Sequence, residues 1–177
     1  IHMKNTNIQL ARFDKGYLVS WLELFSNEPV SQIECILLKG DASDRNYFRV
    51  KYALKSSPEI QCSVIIMQLA KLETEPDFNC MQKFLRNLDI PVPEIFHFDV
   101  KKGLLFLMDF GDIHLADKIT KEPGKTVFWY QKAIDIIVAF HIQATDTTTP
   151  DLPAYSLFFD EEKLMWEMDF MLEHYVQ

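Results

Sequence analysis

Cysteine is scarce in this sequence, and the cysteines present form no pattern. Cys35, Cys62 and Cys80 are odd in number, widely spaced and without a Cys-x-x-Cys pair. Neither a zinc site nor a disulfide framework is therefore expected, and a reducing cytoplasm is the compartment that fits. Long apolar runs are missing too. No segment approaches the roughly 18 apolar residues of a membrane span, and no signal-peptide pattern is visible. Positive charge is in deficit, with 18 Lys and Arg against 26 Asp and Glu and a net charge of −8. General binding to nucleic acid or to an acidic membrane surface is not expected, although a local basic site remains open. The 5 histidines show no paired metal spacing, and there is no internal repeat or low-complexity tract.

What is present is material for a core. Of 177 residues, 48% are hydrophobic and 14 are Phe, enough for one large domain or one and a half small ones. Ile1-His2-Met3 reads as vector sequence ahead of a native start at Met3, so residues 1–3 are set aside, and His2 with them. Residues 7–27 carry Leu10, Phe13, Leu18, Trp21, Leu22 and Phe25 at helical spacing. Gly16 weakens the middle of that helix, and Pro29 forbids its continuation. Strands are expected over 32–38, 46–54 and 60–69, with Ser56-Ser57-Pro58 as the turn between the last two. A short helix over 77–88 ends before Pro91 and Pro93. Strands over 94–100 and 104–108 follow, joined by a tight Lys101-Lys102-Gly103 turn. The unbroken apolar run of the second marks it as buried on both faces.

After Asp109-Phe110-Gly111-Asp112 the character turns helical, over 114–120, 126–144 and 160–175. Asp160, Glu161 and Glu162 stand at the start of the last helix, where its dipole favours them. This order predicts an α+β fold: a five-stranded, mainly antiparallel sheet with one helix packed on it, then a helical region. Protein-kinase-like N-terminal lobes have this arrangement. Likeness to such a lobe implies a division into 4–108 as a nucleotide-binding lobe with a leading helix, 109–112 as a hinge and 113–177 as the start of a helical lobe.

The most informative stretch is Gly40-Asp41-Ala42-Ser43-Asp44-Arg45-Asn46-Tyr47-Phe48-Arg49-Val50. A turn of small and polar residues between paired strands gathers backbone N–H groups into a nest able to cradle phosphate, and Arg45 adds a planar donor fork. An ordinary hairpin turn also accommodates Gly-Asp and Ser-Asp.

This stretch resembles the nucleotide loop of aminoglycoside-phosphotransferase-like kinases, and more narrowly that of bacterial amino-sugar kinases acting on N-acetylmuramate and N-acetylglucosamine. Three further segments resemble the family in the same order: Ile90-Pro91-Val92-Pro93-Glu94-Ile95 leading into the fourth strand, Leu107-Met108-Asp109-Phe110-Gly111-Asp112 as hinge, and Leu152-Pro153-Ala154-Tyr155 followed by the helix over 160–175. The resemblance implies an ATP-dependent phosphotransferase acting on a hydroxyl of an amino sugar or aminoglycoside-like acceptor, with Mg²⁺ brought by ATP. It places Gly40, Ala42, Ser43, Asp44 and Arg45 over the triphosphate. Met108, Asp109, Phe110 and Gly111 would present backbone groups to the adenine edge, and Val50, Ile65 and Leu107 would form apolar walls. For those three residues, plain sheet core is the alternative.

The family's catalytic parts are not found. Phosphoryl transfer needs groups that orient the nucleophile and hold metal, and no His-x-Asp-x-x-x-x-Asn loop followed by a metal-binding Asp occurs. His97-Phe98-Asp99 with Asp109-Phe110-Gly111 imitates the pair, but Leu104 stands where the Asn is required, and both motifs precede the helical region. The phosphate-positioning Lys of the third strand is replaced by Met67 or Gln68, with Lys71 beyond the strand. The helix over 77–88 offers no interior Glu. Arg45 or Arg49 could then provide the missing positive charge; Arg45 is the better candidate because it lies in the loop, and for Arg49 a solvent-facing strand position is the alternative. The simplest account is a truncated chain that carries no catalytic residues and is inactive alone, with apolar faces left at Phe158, Phe159, Trp166, Phe170, Met171 and Tyr175 that favour self-association. A non-catalytic nucleotide-binding or protein-interaction module is the alternative, and a helix–sheet scaffold without ligand is the third reading.

Overall fold

The computed structural model describes residues 11–38, 44–146, 152–156 and 160–175. The supposed vector residues 1–3, the loop residues 39–43, and Phe158 and Phe159 lie outside the described residues. The elements are α1 (Lys15–Ser26), β1 (Val30–Leu38), β2 (Asn46–Leu54), β3 (Ser57–Gln68), α2 (Asp77–Asn87), β4 (Ile95–Asp99), β5 (Leu104–Met108), α3 (Leu115–Lys121), α4 (Thr126–Asp146) and α5 (Glu161–Tyr175). The fold is α+β. Its five strands form one sheet in the order β1-β2-β3-β5-β4, and every pairing is antiparallel.

Helix α1 starts later than its apolar periodicity suggests. Asp14 has extended backbone geometry, and its carboxylate accepts the Tyr17 N–H at 2.8 Å, satisfying one of the free donors at the helix start. Gly16 therefore lies in the first turn rather than the middle. Asn27, in the left-handed conformation, closes the helix, and Pro29 follows. The β2–β3 turn also differs from expectation. Leu54 pairs with Ser57, so only Lys55 and Ser56 form the turn, and Pro58 lies within β3. Proline is tolerated there because β5 pairs only with residues 64–68 of β3, leaving no ladder bond on that side for Pro58 to break.

Strand alternation divides the core between the two faces of the sheet. On one face, Phe48, Val50, Val64, Ile66, Leu104 and Phe106 pack against Leu18 and Leu22 of α1. On the other, Met67, Leu69, Leu105 and Leu107 form a smaller cluster flanked by Tyr47, Ile65, Phe98 and Phe78 of α2. The helix seated most deeply on the sheet is thus α1, while α2 contributes Phe78 to the second face. Arg12 secures the start of the described chain. Its N–H donates to Gln68 Oε1 at 2.7 Å, and its guanidinium donates to Ala70 O at 2.9 Å.

The C-terminal helices behave differently. Phe128, Ile134, Ile137 and Phe140 on α4, and Trp166, Phe170, Met171 and Tyr175 on α5, are all exposed. A tie back toward the sheet domain runs through Tyr155, whose ring meets Phe84 of α2 edge-on and whose hydroxyl donates to Ala144 O at 2.9 Å. Among the described residues, no helix is long and apolar enough to cross a membrane.

Candidate functional site

A cleft of about 270 Å³ opens on the face of the sheet opposite α1. Ile65 of β3 and Leu107 of β5, cross-strand partners, form its floor. Leu38 at the end of β1, Tyr47 at the start of β2, Phe78 of α2 and Pro93 add apolar walls, and Met108, Asp109, Phe110 and Gly111 form one edge. Drug-sized ligands occupy pockets of roughly 300–1,000 Å³, and this cleft lies just below that range. A second cavity of about 200 Å³ adjoins it, lined by Arg49, Lys51, Gln61, Ser63, Asp109, Gly111 and Asp112. Arg49, Asp109 and Gly111 line both.

An ion pair stands where the two cavities meet. Arg49 donates from Nε and Nη2 to the two oxygens of Asp109, at 2.7 and 2.9 Å, and from Nη1 to Asp112 at 2.6 Å. The Arg49 and Asp109 side chains are 10% and 6% exposed, whereas that of Asp112 is 79% exposed. Asp109 also accepts the Gly111 N–H at 2.8 Å and a bond from the Ser63 hydroxyl. Burial alone would raise the Asp109 pKa. The hydrogen bonds from Arg49, the Gly111 N–H and Ser63 outweigh it and hold the carboxyl below the ordinary carboxylate range.

Ile65, Leu107, Met108, Asp109, Phe110 and Gly111 are all brought to the cleft. Arg45 lies at its lip, with the guanidinium carbon 6.0 Å from the centre of the Phe78 ring. Asp44 is exposed just before β2. Gly40, Ala42 and Ser43 fall outside the described residues. Val50 is elsewhere: it is fully buried in the α1-side core, because even-numbered residues of β2 point away from the cleft. Arg49 occupies the cleft face instead, and rather than facing solvent it is 8% exposed and doubly paired. The period-two contrast of Tyr47, Arg49 and Lys51 with Phe48, Val50 and Tyr52 was the available signal. Ser63 and Gln61 carried no local signal and are brought to the site by the pairing of β3 with β2.

The edge segment has limited backbone capacity. The Met108 N–H already donates to Glu94 O at 2.9 Å, and the Gly111 N–H is taken by Asp109. Among the described residues, no group engages the Phe110 N–H. The imitation catalytic motifs are occupied structurally. Asp99 accepts the Tyr17 hydroxyl at 2.7 Å and the Lys102 N–H at 3.0 Å, and His97 lies against Trp21 and Phe106. Met67 is fully buried in the second cluster, and Lys71 is exposed beyond β3. No protein-family model matches this chain, and no curated protein matches it.

Proposed function

We propose that this chain carries the adenine-nucleotide-binding lobe of an ATP-dependent small-molecule phosphotransferase of the aminoglycoside-phosphotransferase-like, amino-sugar kinase type. The observation that carries this reading is the apolar cleft bounded by Ile65 and Leu107 and edged by the 108–111 backbone. A purine needs apolar faces and a backbone edge, and the Phe110 N–H is a donor for that edge. The antiparallel order β1-β2-β3-β5-β4, with α2 between β3 and β4, supports a protein-kinase-like N-terminal lobe. Arg45 at the cleft lip supplies a cation for the phosphates. The acceptor is an amino sugar or aminoglycoside-like hydroxyl compound.

The residues present fit the adenine of ATP better than they fit its metal. Asp109 and Asp112, the carboxylates lining the cavities, are bonded to Arg49, so Mg²⁺ would arrive on the phosphates. The same commitment favours the second reading, a nucleotide-binding module that is not itself catalytic.

Calorimetric titration with ATP and ADP, with and without Mg²⁺, tests the proposal beside an Arg45→Ala variant. Saturable binding by the parent, weakened in the variant, is expected. A folded sample that binds neither nucleotide overturns the reading.

A further inference from the structure

We infer that Arg49 is the positioning residue of the cleft, acting through the strap formed by residues 109–112; this rests on the nucleotide reading. One planar guanidinium fork spans the strap from its first residue to its last, with two donors on Asp109 and one on Asp112. Beyond the Ser63 hydroxyl on Asp109, little else among the described residues holds the strap. Phe110 is 62% exposed, and nothing lies within 4 Å of where a Gly111 side chain would begin. Its internal tie, the Gly111 N–H to Asp109, ends on the same carboxylate that Arg49 grips.

The consequence falls on the Phe110 N–H. With Arg49 bound at both ends of the strap, that donor keeps a set position relative to Ile65 and Leu107, and a purine edge meets it already in place. Without the fork, ligand binding must also order the strap, and affinity falls by the cost of that ordering. Asp109 contributes more than Asp112, since its arm of the fork is buried and the other is in water.

The test uses adenosine, which carries no phosphate and so leaves Arg45 out of the measurement. Arg49→Met combined with Asp109→Asn removes the buried charges together, avoiding an unpaired carboxylate, and Arg49→Lys keeps the charge without the fork. The double variant is expected to bind adenosine about tenfold more weakly, the loss of roughly one well-placed hydrogen bond. Its Gly111 amide should exchange hydrogen faster, while the Val64 and Ile66 amides exchange as in the parent; Arg49→Lys should fall between. Binding as tight as the parent's, or faster exchange at Val64 and Ile66 equal to that at Gly111, overturns the inference. If the parent binds neither ATP, ADP nor adenosine, the nucleotide reading fails and this inference falls with it; if the parent binds ATP but no adenosine, or binds adenosine no more tightly than the double variant does, this inference alone fails.

Discussion

At the scale of single residues, Asp109 ties stability to pH. Its carboxyl sits below the ordinary range in the folded chain, while the unfolded chain returns it to about 3.9. The stabilisation is therefore complete above about pH 4 and is lost as pH falls through the lower folded value. Urea midpoints measured from pH 6 to pH 3 should decline in the parent, and Asp109→Asn should flatten that acid limb. Arg49→Met alone leaves Asp109 buried and unpaired, and should cost about 3 kcal/mol in the same assay at pH 7. Two glycines separate backbone strain from crowding. Gly111 and Gly103 both have positive φ, but an added Cβ meets open space at Gly111 and lies 2.9 Å from Leu72 Cδ2 at Gly103. Gly111→Ala should cost about 1–2 kcal/mol and Gly103→Ala more, which equilibrium urea unfolding will show. Gly111 was legible as part of the segment that edges the cleft. The pairing of Arg49 was not, because its partners lie 60 and 63 positions away.

At the scale of elements, sequence pattern located the five strands and five α-helices of the described residues, and local chemistry corrected their ends. α1 begins at the Asp14 cap rather than where apolar spacing begins, since a capping carboxylate ends the competition for the first free N–H groups. The β2–β3 turn tightened to Lys55-Ser56 because strand register, not turn composition, chose which residues pair. Leu22 is fully buried where α1 meets the sheet. Leu22→Ala should lower stability by about 2–5 kcal/mol, read from the thermal or urea transition, with Leu24→Ala as the exposed control on the same helix. Val50 shows where element-level reading stopped. Its place in a strand was evident, but which face it served depended on which side of the sheet α1 covered.

At the scale of the whole molecule, apolar surface is in excess. Among the described residues, Phe128, Ile137, Phe140, Trp166, Phe170 and Tyr175 on α4 and α5 are exposed. Surfaces of this kind associate. Sedimentation velocity at rising concentration should show dimers or larger species, and Trp166→Glu with Phe170→Glu should shift the distribution toward monomer. A parent chain that sediments as one monomeric species and binds no apolar dye would contradict this.

The sequence by itself determined the α+β class, the five strands and their helices, and the position of the 107–112 edge, because these depend on side-chain period and local turn chemistry. Tertiary structure decided which face of β2 serves the cleft, that Arg49 is buried, and that Asp109 and Asp112 share it. Those outcomes depend on strand pairing and helix placement between residues far apart in the chain, and burial of a charge becomes tolerable only where the fold delivers its opposite.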